Sequence, residues 1–113
     1  MSRRDIRLYL RQMLDYAREA YELGGKRPWS EVVEDRILNL ALVRLLEIIG
    51  EAAGRVPSED RSRITRIPRV EIIGLRNRLI HGYDAVDFDI LRQIITRDLP
   101  PLITALEEAL QTN

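Results

Sequence analysis

Arg76, Asn77, His81 and Tyr83 fall in the run Gly74-Leu75-Arg76-Asn77-Arg78-Leu79-Ile80-His81-Gly82-Tyr83, and His81 is the only histidine in the chain. An imidazole with an ordinary pKa of about 6.5 takes or gives a proton near neutral pH. A neighbouring guanidinium clamps a phosphate and stabilises the charge that develops on it. Together these are the parts for cutting RNA without a metal. The 2′-hydroxyl attacks the adjacent phosphodiester, His81 handles a proton and Arg76 holds the transition state. DNA lacks that hydroxyl and is expected to resist. Such a reaction uses both a base and an acid, so one histidine per chain predicts a symmetric homodimer that places two copies of His81 and Arg76 across a shared cleft.

These residues need a helix end to present them. Asn77 and His81 are spaced i, i+4 and share a helix face, which lets the amide orient the imidazole. Arg76 lies about 100° round the helix from Asn77. Gly82 suits the left-handed conformation common just beyond a helix, so Tyr83 is expected to leave the helix and lie over the same corner. Pro68 fits the opening of this helix, which carries Val70 to Ile80.

The other elements follow from periodicity. Ile6, Leu10, Met13, Leu14, Ala17 and Tyr21 trace one face of a first helix from about Ser2 to Leu23. Gly24-Gly25-Lys26-Arg27-Pro28-Trp29 breaks it, with Trp29 expected to cap the end of the bundle. Ser30, followed by Glu31, Glu34 and Asp35, predicts the start of a second helix running from Glu31 to Ala53 and stopped by Gly54. It is apolar nearly all round from Ile37 to Ile49, as a central helix is. Asn39 and Arg44 interrupt it, either as satisfied core polars or as cleft-lining residues. Pro57-Ser58-Glu59-Asp60 reads as a short helical turn. Asp87 or Asp89 begins a helix through Arg97, and Asp98 caps a last one with Pro100 and Pro101 in its first turn. No stretch alternates with period two for long enough to demand a strand. The fold class is all-α, an antiparallel bundle of about four to five helices.

Composition narrows the alternatives. The 113 residues are 45% hydrophobic and 32% charged, and 18 Lys+Arg balance 18 Asp+Glu. That is enough chain for one domain, 1–113, with its own core. The absence of cysteine excludes a disulfide scaffold, a thiol nucleophile and Cys-ligated metal sites. No cofactor and no metal is expected. A charged N-terminus and the lack of an apolar run of about 18 residues point to a cytoplasmic protein with no membrane segment. All the basic residues but Lys26 are arginine, and Arg55 to His81 holds seven of them against Glu59, Asp60 and Glu71. This basic segment fits an anionic partner. Arg78 either contacts RNA phosphate or makes a surface salt bridge, and Arg61, Arg63, Arg66 and Arg69 either guide RNA or form a solvated face. Glu47 and Glu51 share a helix face and either orient Arg76 or serve solvated, structural roles.

The run from Arg76 to Tyr83 resembles the Arg-x4-His-x-Tyr signature of the HepT-like toxins, the DUF86 family of the HEPN superfamily. Leu46-Glu47-Ile48-Ile49-Gly50-Glu51-Ala52-Ala53, Ile67-Pro68, Glu71-Ile72-Ile73-Gly74-Leu75, Val86-Asp87 and Asp98-Leu99-Pro100-Pro101-Leu102 extend the likeness over nearly the whole chain. Arg69-Val70 departs from it, since many relatives carry an aromatic residue there. The resemblance implies a single HEPN domain that dimerises into a composite, metal-independent endoribonuclease with Arg76 and His81 as the catalytic pair and Asn77 in support. It also implies a type VII toxin–antitoxin pair with a minimal, MntA-like nucleotidyltransferase antitoxin. That partner transfers AMP from ATP to the motif tyrosine, which Tyr83 matches. The alternative is a catalytically silent HEPN module that binds nucleotide or protein beside a nucleotidyltransferase.

Overall fold

A computed structural model describes residues 1–62, 64, 73, 77 and 86–111. Among the described residues all regular structure is helical and no strand occurs, which agrees with the all-α expectation.

Helix α1 spans Arg3–Gly24. The Ser2 hydroxyl accepts from the Asp5 amide at 3.1 Å, so one of the unpaired donors of the first turn is satisfied. At the far end the Lys26 ammonium lies 2.8 Å from Glu22, and the hydrogen bond and charge of that carboxylate hold it above the ordinary lysine range. Gly24 closes α1 at a three-way contact. A Cβ there would come within 2.9 Å of Ile95 Cδ1 and 3.1 Å of Leu42 Cδ1, so the missing side chain lets these elements meet.

The expected second helix is two helices. Helix α2 covers Trp29–Glu34 and α3 covers Arg36–Arg55, divided at Asp35, which is extended (φ −93, ψ 97). Two interactions favour the break. The Asp35 carboxylate accepts from the Leu38 amide at 3.0 Å and caps α3, an arrangement that typically contributes about 1 kcal/mol. The Asn39 amide nitrogen donates to the carbonyls of Val32 (3.1 Å), Val33 (3.3 Å) and Asp35 (2.7 Å), supplying a donor to the end of α2. Asn39 is therefore a core polar residue, 2% exposed. Ser30 is not the cap; Pro28 precedes α2, whose start has no side-chain cap. Trp29 opens α2 and packs half-buried on the core, with the Arg92 guanidinium 5.7 Å from its ring centroid.

Helix α4, Ser58–Arg61, is the expected turn after Pro57. Arg61 donates to the Ala53 carbonyl at 3.1 Å and ties α4 to the end of α3. Helix α5, Phe88–Gln93, is capped by Asp87, which accepts from the Ile90 amide at 3.1 Å. It runs without a stop through a π-helical turn, Ile94–Asp98, into α6, Leu99–Gln111. Asp98 thus lies inside a continuous helical path instead of capping a new helix. Pro100 and Pro101 have no N–H, and their rings crowd the carbonyls one turn back. Widening the preceding turn, where the Leu99 amide reaches the Ile94 carbonyl, gives them room.

Helix α1 packs against α3 and α6. Met13, Leu14 and Ala17 of α1, Leu42, Leu46 and Ile49 of α3, and Leu99, Leu102 and Leu106 of α6 fill the shared core, joined by Leu91, Ile94 and Ile95. Each large aliphatic side chain removed from water in this way contributes about 1.5–3 kcal/mol.

Candidate active site

The functional run meets the described structure at one residue, Asn77. Ile73, just before the run, and Asn77, within it, are each helical and exposed. Arg76, Arg78, His81 and Tyr83 lie outside the described residues, as does the expected Asn77–His81 pairing.

The carboxylates singled out on the central helix are described. Glu47 and Glu51 lie on one side of α3 beside Arg44, whose guanidinium pairs with Glu47 and stands 3.8 Å from Glu51. The Glu47 side chain is the most enclosed of the three, at 17% exposed against 59% for Arg44 and 54% for Glu51. Arg44 is thus an exposed member of an ion-pair cluster, which separates it from the buried Asn39.

Sequence reasoning missed what lies next to the cluster. Moving toward the start of α3, the same stripe continues through Leu40 (40% exposed) to Ile37 (82% exposed), with Val33 (37%) at the end of α2. On α3, Ile37, Leu40 and Arg44 recur at the i, i+3, i+7 spacing of a helix face. The all-round apolar pattern from Ile37 to Ile49 contained the signal, because one neighbouring bundle covers only part of a helix's circumference. Leaving an 82%-exposed isoleucine beside another exposed leucine forms an apolar patch bordered by charge, a pattern associated with interaction surfaces.

The profile of the family described as Ribonuclease HepT-like matches residues 13–109, and the chain belongs to that family. The matched span includes the run from Arg76 to Tyr83, so the resemblance drawn from that run is borne out, and the all-α bundle is of the HEPN type. The chain is 33% identical over 107 residues to a Methanocaldococcus jannaschii protein whose name proposes an RNase, covering 95% of this chain and 98% of that one. A Caldanaerobacter subterraneus protein, also named as a proposed RNase, is 36% identical over 105 residues, which cover 93% of this chain and 94% of its own. A Thermococcus cleftensis protein whose name proposes a ribonuclease HepT is 37% identical over 68 residues, 60% of this chain and 62% of that one. No solved structure matches. No helix among the described residues is long and apolar enough to cross a membrane.

Proposed function

We propose that this chain is the ribonuclease toxin of a HepT/MntA-like toxin–antitoxin pair, acting in the cytoplasm as a single-domain protein that cuts RNA without a metal. The observation that carries this reading is the family match over residues 13–109, which takes in Arg76, Asn77, His81 and Tyr83 in their motif spacing.

The reaction balances with the chain's own groups. The RNA 2′-oxygen forms a bond to phosphorus as its proton passes to the imidazole of one His81. The bond from phosphorus to the 5′-oxygen breaks, and a protonated His81 of the second subunit supplies the proton to that leaving oxygen. The products are a 2′,3′-cyclic phosphate and a 5′-hydroxyl. Arg76 offsets the charge that builds on the non-bridging oxygens, and Asn77 holds the imidazole in a productive orientation. The exposed stripe of Ile37 and Leu40 supports the homodimer this scheme needs, because a second copy removes both side chains from water. Arg78 serves as a phosphate contact, and the Glu47–Glu51 cluster orients the Arg76 guanidinium.

Regulation falls to Tyr83. Its phenolic oxygen attacks the α-phosphorus of ATP on a separate nucleotidyltransferase, pyrophosphate leaves, and the phenolic proton passes to a base on that enzyme. The resulting AMP ester puts a bulky anion where the RNA phosphate binds and engages Arg76.

Arg76→Ala and His81→Ala variants test the reading on RNA. Each is expected to lower the cleavage rate by about 10² or more. Incubation with the nucleotidyltransferase and ATP is expected to silence the wild type and add the mass of AMP. Tyr83→Phe should stay active and unmodified. No cleavage by unmodified wild type, with AMP transfer intact, contradicts the enzyme reading and favours the silent binding module.

A further inference from the structure

The sequence concentrates its positive charge between Arg55 and His81, but the fold builds a second basic surface at the start of α1. Arg3, Arg4, Arg7 and Arg11 surround Leu8 and Leu110 in a groove of about 590 Å³, where the first turns of α1 run beside the end of α6. Among the described residues no carboxylate lines this groove. Arg7 is fixed in its wall by a 2.8 Å hydrogen bond to the Leu110 carbonyl. Arg11 rests 3.3 Å from Asp15 at the edge, with its side chain 60% exposed. Arg3 and Arg4 are exposed and make no ion pair among the described residues. Leu8, 61% exposed, forms an apolar floor between them.

We propose that this groove is a second RNA-binding surface that holds the phosphate backbone of a strand, in addition to the cleft at Arg76 and His81; this rests on the ribonuclease reading. The chain's formal net charge is zero, so attraction for a polyanion must come from local clusters. Salt confines such attraction to roughly 8–10 Å, which keeps the effect to the groove itself. Arg3, Arg7 and Arg11 rise along the helix in steps of about 6 Å, four residues at 1.5 Å each. A strand with a phosphate on every nucleotide meets such a ladder at several levels, whereas a peptide would need a carboxylate at each one. Guanidinium is the side chain best shaped to grip phosphate with paired hydrogen bonds. Among the described residues the groove has no aromatic platform and no carboxylate to accept from a base, so binding there is indifferent to base sequence.

The test uses a 2′-O-methyl RNA strand, which binds but lacks the attacking hydroxyl. Fluorescence anisotropy across a salt series compares wild type with Arg4→Gln/Arg11→Gln. Both side chains are exposed, and circular dichroism checks that the fold is kept. Removing two phosphate contacts should weaken binding about tenfold and reduce the slope of log affinity against log salt by about 1.4, at ~0.7 per contact for a single strand. Arg27→Gln/Arg97→Gln removes the same charge away from the groove and should leave the slope at the wild-type value. Equal slopes for all three proteins overturn the proposal. So does a wild type that binds no RNA, or a groove variant impaired only in binding an acidic protein. Cleavage of ordinary RNA is scored separately. Groove-dependent binding without any cleavage keeps the groove and removes the ribonuclease, whereas cleavage with groove-independent binding does the reverse.

Discussion

The carboxamide of Asn39 reaches back 3.1 Å to the carbonyl of Val32, across the chain break at Asp35. This contact joins the end of α2 to the first turns of α3, and α3 carries the Arg44–Glu47–Glu51 cluster and the exposed stripe beside it. The junction of α2 and α3 is therefore held by this buried side chain together with the Asp35 cap.

Asn39→Ala removes the donor shared by three carbonyls, of which the contact to Val32 is buried and those to Val33 and Asp35 are partly buried. The Val32 and Asp35 carbonyls keep the backbone amides of Asp35 and residue 39, so the loss is that of the side-chain hydrogen bonds, about 0.5–1.5 kcal/mol. Urea unfolding should show a loss in that range. Asn39→Leu should fail to restore it despite its apolar volume, since it also offers no donor. Full recovery in the leucine variant would mean that packing, and not the hydrogen bonds, holds the junction.

The stripe at the start of α3 gives a second prediction. Ile37→Asp/Leu40→Asp places charge on side chains that are already solvent-exposed in one copy, so helical content and unfolding midpoint should change little. In the dimer the same charges are desolvated without partners, which is costly. Light scattering should report a monomer for this variant and the proposed dimer for the wild type, and RNA cleavage should fall with dimerisation. A double variant that still dimerises would place the subunit contact elsewhere.

Gly24→Ala sets two effects against each other. Alanine is favoured over glycine inside a helix by about 1 kcal/mol. The added methyl, however, meets Ile95 Cδ1 at 2.9 Å and Leu42 at 3.1 and 3.2 Å, and both neighbours are fully buried. Overpacking of this kind costs about 1–3 kcal/mol, so the net change should be destabilising. A lower thermal midpoint is expected; a higher one would show that the two side chains can move aside.

The parts of the fold that were legible in the sequence are those set by neighbours in the chain. The first helix's start near Ser2, the start at Asp87 or Asp89 and the turn after Pro57 were readable because a helix start depends on residues only about three positions away. The break at Asp35 was hidden because Asp35 reads equally as an acid in a continuing first turn and as a cap. Asn39 decides between them, through bonds to carbonyls on the preceding helix. Pro100 and Pro101 pointed to a helix start, but one widened turn lets the helix pass through them. The pairing of Arg44 with Glu47 and Glu51 follows from spacing, whereas the α1 groove needs Leu110 brought beside Arg7 from the other end of the chain. Of the candidate site, the motif itself was readable because its chemistry lies in a short run, and the family match covers that run.

The most direct test of the central claim is cleavage of an RNA strand by the unmodified protein in EDTA, with His81→Ala and a substrate carrying 2′-deoxyribose in place of ribose as controls. The account predicts cleavage that survives EDTA, leaves 2′,3′-cyclic phosphate ends, and disappears in both controls. Cleavage that EDTA abolishes, or that persists in the deoxy substrate or without His81, would contradict it.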